Sequence, residues 1–464
     1  MTHVAVIDIG KTNAKLALVD MDTLNELAVV KRPNTVLPSP PWPHFDVDGI
    51  WEFLLDAMAQ FHQSHGINAI SITTHGACAA LVGHDGRLAA PILDYEHDGP
   101  NAVAADYDAI RPRFEETGAP RLPMGLNLGA QLYWQFREDR ELRDRTAALV
   151  TYPQYWGYRM TGVTACDVSS LGCHTDLWNP HEGSFSDLVL DLNIADLIGK
   201  PRKCSDILGT LLPGVVVRTG LDPATPVYCG IHDSNASLLP HVLRQSAPFS
   251  VVSTGTWVIA MSVGGDQARL DPTRDTLINV NALGDPVPSA RFMGGREYNT
   301  ILKGDAVEYT EDDIMAVAQN GPMLLPSIIP ESGPFQNRRA EWVGTEPPIG
   351  SIERTVATAF YLALMTAECL ALTGHNGPVI VEGPFAGNPG FCTMLGTATN
   401  CTVEAAGGTT GTSEGAALLA LPAGSRAPSM DQRRTYLPIN DPLFRYATSW
   451  KSKVAAYRAD GDLK

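Results

Sequence analysis

The run Val4-Ala5-Val6-Ile7-Asp8-Ile9 is apolar except for one acid, and it breaks at Gly10-Lys11-Thr12-Asn13 before a second, largely apolar run from Ala14 to Val19. A buried strand, a tight polar turn and a return strand are what this pattern allows. Gly10 admits backbone geometry closed to residues with a Cβ, and Lys11, Thr12 and Asn13 offer donors to an anion. The turn therefore reads either as a phosphate-binding hairpin or as a plain soluble turn. A second copy of the layout favours the first reading. Phe249-Ser250-Val251-Val252-Ser253-Thr254-Gly255-Thr256-Trp257-Val258-Ile259-Ala260 again sets a small hydroxyl- and glycine-bearing turn between apolar strands. With one hairpin in each half of the chain, two turns facing across a cleft are expected.

Between and beyond the hairpins, strand patterns alternate with helical ones, the signature of an α/β fold. Helices are expected over about 49–66, 126–145 and 352–372, the last closed by Gly374. Strands are expected at Ala69 to Thr73 and Val379 to Val381, with a strand pair turning at His84-Asp85-Gly86. The stretch 161–213, rich in Gly, Asp and polar residues, reads as a surface excursion or lid. At 464 residues the chain exceeds the usual size of one core. A boundary near Leu239 to Pro248 gives domains 1–243 and 244–464.

A net charge of −17 argues against nucleic acid or an anionic membrane as the main partner, since either needs a basic face. Met1-Thr2-His3 passes straight into a strand, and the most apolar window, Val356 to Thr373, holds Glu368 and several threonines and suits a buried helix. A cytosolic protein is expected. The eight cysteines are scattered without a CxxC pair, which favours reduced, mostly buried thiols over disulfides or zinc.

The two hairpins, Gly230-Ile231-His232-Asp233-Ser234-Asn235-Ala236 and the segment from Val379 to Ala420 together resemble the FGGY family of carbohydrate kinases over most of the chain. The resemblance implies two ribonuclease-H-like domains of the actin and hexokinase superfamily flanking a cleft for ATP and sugar. Strand Pro226 to Cys229 leads to Asp233 at the head of a small-residue helix, where an acid serves equally as N-cap. At the matching position the family has its general base, and a helix terminus would hold that carboxylate in place.

The resemblance further implies that Gly10, Lys11, Thr12 and Asn13 on one side, and Thr254, Gly255 and Thr256 on the other, meet the phosphate charge. Asp8 would hold Mg2+, through water where direct ligation fails; which way Lys15 faces is left open. Gly383, Gly387 and Asn388 fall in the family's adenosine loop, although Pro384 replaces a usual glycine. The helix after Gly411 matches a small-residue element expected to be structural. For the sugar, His75 and Gly76 follow a strand, and Asp98 ends Asp94-Tyr95-Glu96-His97-Asp98, where relatives carry an arginine that is absent here. Arg296 and Glu297 either bond a substrate or pair with each other, and the pair is favoured. Gln131 and Gln154 replace a family lysine and aspartate, which points to a differing substrate.

Asp-Ile-Gly-Lys-Thr-Asn and Gly-Gly-Arg-Glu-Tyr look nearest to rhamnulokinase- and fuculokinase-like members. The working substrate is a ketose, for example a 6-deoxy-ketose such as L-rhamnulose or L-fuculose. Catalysis would require closure around both substrates, and a homodimer is left open. A sugar or nucleotide sensor without turnover, and a phosphoryl-transfer enzyme acting on a non-sugar substrate, are the competing readings. The first is opposed by Asp8, Asp233 and both hydroxyl-rich turns, and the second predicts nucleotide turnover without sugar dependence.

Overall fold

The structure, a computed structural model, describes residues 2–406, 411–422, 433–439 and 441–461. The chain forms two compact α/β units. The first comprises Met1–Arg244, Ile278–Pro286 and the described part of Thr410–Ser429; the second comprises Gln245–Leu277, Val287–Thr409 and Met430–Lys464, each within its described residues. Two later stretches thus return to the first unit.

The sheet of the first unit runs in the order Ile207–Gly209, Val227–Tyr228, Ala69–Thr74, His3–Ile9, Asn13–Asp20, Glu26–Pro33. His3–Ile9 pairs antiparallel with Asn13–Asp20 and parallel with Ala69–Thr74. Its residues Val4 to Ile7 are fully buried, which explains a run apolar on both faces. At the edge, Glu26–Pro33 alternates exposed and half-buried residues. Helix Val47–His65 starts at Asp46, whose carboxylate accepts from the Gly49 N–H at 3.0 Å, and covers one face of the sheet with Ile50, Leu54 and Met58.

In the second unit the hairpin Phe249–Thr254 and Val258–Val263 occupies the same place. Phe249–Thr254 is flanked on its other side by the parallel strand Val379–Glu382, followed by Val403–Ala405 and Arg434–Tyr436. The hairpin of the paired sequence pattern therefore recurs, and in each unit a parallel strand flanks it. Helix Ile352–Leu372, capped by Ser351 accepting from the Arg354 N–H, has the bounds read from the sequence, and Gly374 follows at φ 70°. It is long and apolar enough to cross a membrane, yet most of it is buried in the core of this unit.

Three expectations change. The helix expected over 126–145 is Leu128–Glu138 followed by a separate turn, Leu142–Arg145. Asp139 breaks it, because its carboxylate binds the Glu141 N–H and the Arg145 guanidinium instead of sustaining the helix. Ala79–Gly83 finds its longer partner in distant Thr146–Thr151, while the turn at His84-Asp85-Gly86 does fold back on it, though only over a short arm: Val82 bridges Leu88, the Gly83 N–H donates to the Arg87 carbonyl and the Ala89 N–H to that of Leu81. The stretch 161–213 is no surface excursion: Cys166, Asp167, Leu171, Cys173, Leu177, Leu188 and Ile194 are buried in short pieces packed inside the first unit. All eight cysteines carry free thiols, seven of them buried.

Candidate active site

Register brings the first unit's chemistry together. Ile9 pairs with Thr74 and Thr74 with His232, so the next residues, Gly10, His75 and Asp233, form a row past the carboxyl ends of three parallel strands. Ligands of open α/β sheets bind at such ends. Neighbouring strands lie about 4.8 Å apart, which sets the row roughly 10 Å wide.

Asp8 stands two residues before Gly10, opposite Lys15. Its Oδ2 accepts from Thr412 Oγ1 at 2.6 Å and Ser413 Oγ at 3.3 Å, and Lys15 Nζ lies 3.4 Å away, so Lys15 faces the site. Helix Thr412–Ala417 brings those hydroxyls in by packing on helix Asp233–Arg244; a Cβ on Gly415 would stand 1.8 Å from the Ala236 carbonyl. Thr412 and Ser413 were read as structural from the sequence, although Gly-Thr-Ser at a helix start is itself a polar signal. The all-oxygen set of Asp8, Thr412 and Ser413 suits a magnesium ion, which takes few carboxylates and keeps several waters.

Asp233 is the first residue of its helix, and its Oδ1 accepts from the adjacent Ser234 N–H at 2.6 Å, not from the N–H two or three residues on that an N-cap would bind. His75 is buried, its ring 5.0 to 5.2 Å from those of Phe45, Tyr95 and Tyr152. Its Nδ1 lies 2.8 Å from the Gly76 carbonyl and so carries the proton, while Nε2 has no hydrogen-bond partner among the described residues. Burial pushes the imidazole down to about 4, which keeps it neutral. Gly76 is required by space, since a Cβ would come within 2.9 Å of His232 Nε2.

Lys11 does not present an ammonium to an open anion site. It pairs with Asp94 and with Glu96 at 3.1 Å, and lies 4.6 Å from the Tyr95 ring centroid. Asp94 is thus the buried acid of its segment, whereas the Asp98 side chain is 84% exposed, with His97 3.8 Å away. The Gly10 N–H closes its own turn onto the Asn13 carbonyl at 2.9 Å, Thr12 accepts the Asn34 N–H, and Asn13 bonds Thr12. Gln131 holds the carbonyls of Ala77 and Gly125, and Gln154 holds that of Cys229 at 2.7 Å. Both glutamines therefore fix the loops that carry the site.

The second unit carries an open cleft of about 750 Å³ lined in part by Gly255, Thr256, Arg296, Tyr298, Phe385 and Asn388. Aromatic side walls with an amide at the end suit a purine nucleoside. Asn388 caps helix Pro389–Thr399 through the Phe391 N–H and accepts from Tyr309 Oη at 2.5 Å. Thr254 is turned to other work: its hydroxyl donates to the Glu382 carbonyl and accepts the Phe385 N–H. Gly383 adopts φ 81°, and a Cβ there would sit 2.0 Å from the Thr254 carbonyl. Gly383 therefore locks the loop, Gly387 lies in its short turn, and the Gly255 N–H is spent on the Trp257 carbonyl.

The expected Arg296–Glu297 pair is absent. Glu297 is fully buried, accepting from the Ile329 N–H at 3.1 Å and Tyr361 Oη at 3.0 Å, while Arg296 lines the cavity. Adjacent residues of helix Gly294–Leu302 point about 100° apart and cannot meet. The less favoured reading of Arg296, as a ligand-facing residue, is the one its place in the cavity fits, while Tyr298 and Phe385 as cavity walls were not singled out from the sequence.

Two family models match: the N-terminal domain of the FGGY family of carbohydrate kinases over residues 3–240, and the C-terminal domain of carbohydrate kinase FGGY over 246–429. The chain belongs to the FGGY family of carbohydrate kinases, a family of phosphotransferases. The crystal structure of a carbohydrate kinase from Novosphingobium aromaticivorans is 36% identical, with a TM-score of 0.89 over 97% of this chain and 100% of that one. A ligand-bound xylulose kinase from Lactobacillus acidophilus, 16% identical, shares the fold at a TM-score of 0.77 over 100% of this chain and 98% of its own. Among curated proteins, L-fuculokinase of Escherichia coli K12 is 25% identical over 279 residues. That match spans 56% of each chain.

Proposed function

We propose that this chain transfers the γ-phosphate of ATP to a hydroxyl of a small sugar, with Asp233 as the general base. The observation that carries the reading is the single row of Gly10, His75 and Asp233 past the parallel strands, with Asp8 two residues before Gly10. Asp233 takes the hydroxyl proton as that oxygen bonds to phosphorus and the bond to the β-phosphate oxygen breaks, releasing ADP. The neutral His75 has a bare Nε2 to accept from a second sugar hydroxyl, and Tyr95 and Phe45 beside it offer an apolar face. Magnesium bound with the nucleotide would be held by Asp8 with Thr412 and Ser413, and it supplies charge neutralisation at the phosphates.

In the second unit Tyr298, Phe385 and Asn388 take the base end of the nucleotide, with Arg296 and the Gly255-Thr256 turn toward its phosphates. The substrate is a ketose in the cytoplasm, and a 6-deoxy-ketose is favoured. The aromatic wall around His75 suits a methyl-ended sugar, and the curated L-fuculokinase is among the relatives. ADP release is to be followed with magnesium-ATP over L-rhamnulose, L-fuculose, L-ribulose, D-xylulose and glycerol. One sugar is expected to respond strongly, and Asp233→Asn to lower kcat by about 10²–10⁴ while ATP still binds. Full activity in that variant would overturn the assignment of the base.

A further inference from the structure

Three polar groups gather at one oxygen of Asp233, two of them hydrogen-bonded to it and the third, His232 Nε2, in ion-pair contact. Oδ1 accepts the Ser234 N–H at 2.6 Å, lies 3.3 Å from Ser234 Oγ, and lies 3.3 Å from His232 Nε2. No described residue bonds Oδ2. The same His232 Nε2 lies 3.4 Å from Cys173 Sγ, with both residues buried, and the other ring nitrogen, Nδ1, has no partner among the described residues.

We infer that His232 is a positioning residue for the base: its Nε2 proton, shared between Asp233 Oδ1 and the Cys173 sulfur, clamps the carboxylate so that Oδ2 is the oxygen that receives the substrate proton. The inference rests on Asp233 acting as the base.

The tautomer follows from the surroundings. A proton on Nδ1 would be a buried donor without an acceptor, at a cost of about 1–3 kcal/mol, whereas a proton on Nε2 has the Cys173 sulfur as its hydrogen-bond partner and the Asp233 carboxylate beside it. The ring cannot easily turn over. Its backbone N–H is held by Ser169 Oγ at 3.0 Å, Ser169 in turn donates to the buried Asp167, and Gly76 packs against Nε2 with no room for a Cβ. The electrostatics agree. Burial disfavours charge on His232, but Cys173 and Asp233 outweigh it and raise the imidazole; burial likewise pushes the Cys173 thiol up, and His174 with His232 pulls it below the ordinary thiol range.

The test compares two amides. Glutamine can place its NH₂ where Nε2 stands, and asparagine only where Nδ1 stands. His232→Asn is expected to lower kcat about 10- to 100-fold with little change in KM for either substrate, and His232→Gln to recover most of that loss. Thermal unfolding of both variants shows that they fold. Equal kcat in the two would overturn the clamp.

A second measurement does not need turnover. In the ¹⁵N-histidine-labelled full chain, the His232 ring, assigned by its loss in His232→Gln, is expected to be protonated at Nε2 and to shift in both Cys173→Ala and Asp233→Asn. A ring protonated only at Nδ1, or unmoved by Asp233→Asn, would overturn the inference. Absence of sugar turnover in the unaltered chain would instead fail the kinase reading, and the spectra would still decide whether His232 holds Asp233.

Discussion

The buried carboxyl of Glu297 makes the second unit's stability depend on pH in an unusual direction. Burial pushes Glu297 up to about 7 from an ordinary 4.5, against the Ile329 N–H and Tyr361 hydroxyl that favour the ionised form. A raised carboxyl binds its proton more tightly in the folded state. The stabilisation is therefore fully present below about 4.5 and is lost as pH rises through about 7. At 1.36 kcal/mol per unit, the loss amounts to about 3 kcal/mol.

Glu297→Gln keeps an acceptor for the Ile329 N–H and turns an NH₂ toward the Tyr361 oxygen, but it cannot ionise. Relative to the unaltered chain, the variant should gain about 3 kcal/mol between pH 4.5 and pH 8, which for a unit of this size corresponds to about 6–12 °C in Tm. Paired thermal scans across that range measure the difference directly, and all other titrating groups cancel in it. A difference that stays flat with pH, or that falls as pH rises, would refute the reasoning that this acid is buried in neutral form.

Gly383→Ala forces a Cβ to 2.0 Å from the Thr254 carbonyl at φ 81°. It should cost about 2–4 kcal/mol in denaturant unfolding and weaken ATP binding with it. An unchanged midpoint would show that the loop does not depend on that glycine. Lys11→Met leaves the buried Asp94 without its cation and should destabilise the first unit by about 2 kcal/mol while raising KM for the sugar. A raised KM for ATP with unaltered stability would instead restore Lys11 to the phosphates.

What was legible in the sequence is what repeats with a period. The hairpins alternate between apolar runs and a short turn, and helix Ile352–Leu372 carries a long apolar pattern with a serine cap and a glycine after its end, so their bounds could be read directly. The stretch 161–213 could not, because its elements are two to four residues long and too short to show a period. Its buried Asp167, Ser169 and Cys173 are nonetheless what holds His232. The choice of Asp94 over Asp98 was equally hidden, since only the fold decides which acid of that segment Lys11 reaches across 83 residues.

The repeated hairpins also show how one backbone serves two purposes. Ile9 faces Ala14 across a four-residue turn, and Thr254 faces Val258 across a three-residue one, so counting back from the turn makes Ser253 the counterpart of Asp8. Across from Asp8 stands Lys15, and across from Ser253 stands Ile259. The first hairpin therefore sets an acid and an ammonium behind its turn, beside the hydroxyls of Thr412 and Ser413. The second keeps that position neutral and spends its neighbouring hydroxyl, that of Thr254, on fastening the loop from Glu382 to Phe385. Charged chemistry needs fixed ionic groups, and an aromatic cavity needs a fixed wall. The same strand, turn and parallel neighbour supply both, and three side chains make the difference.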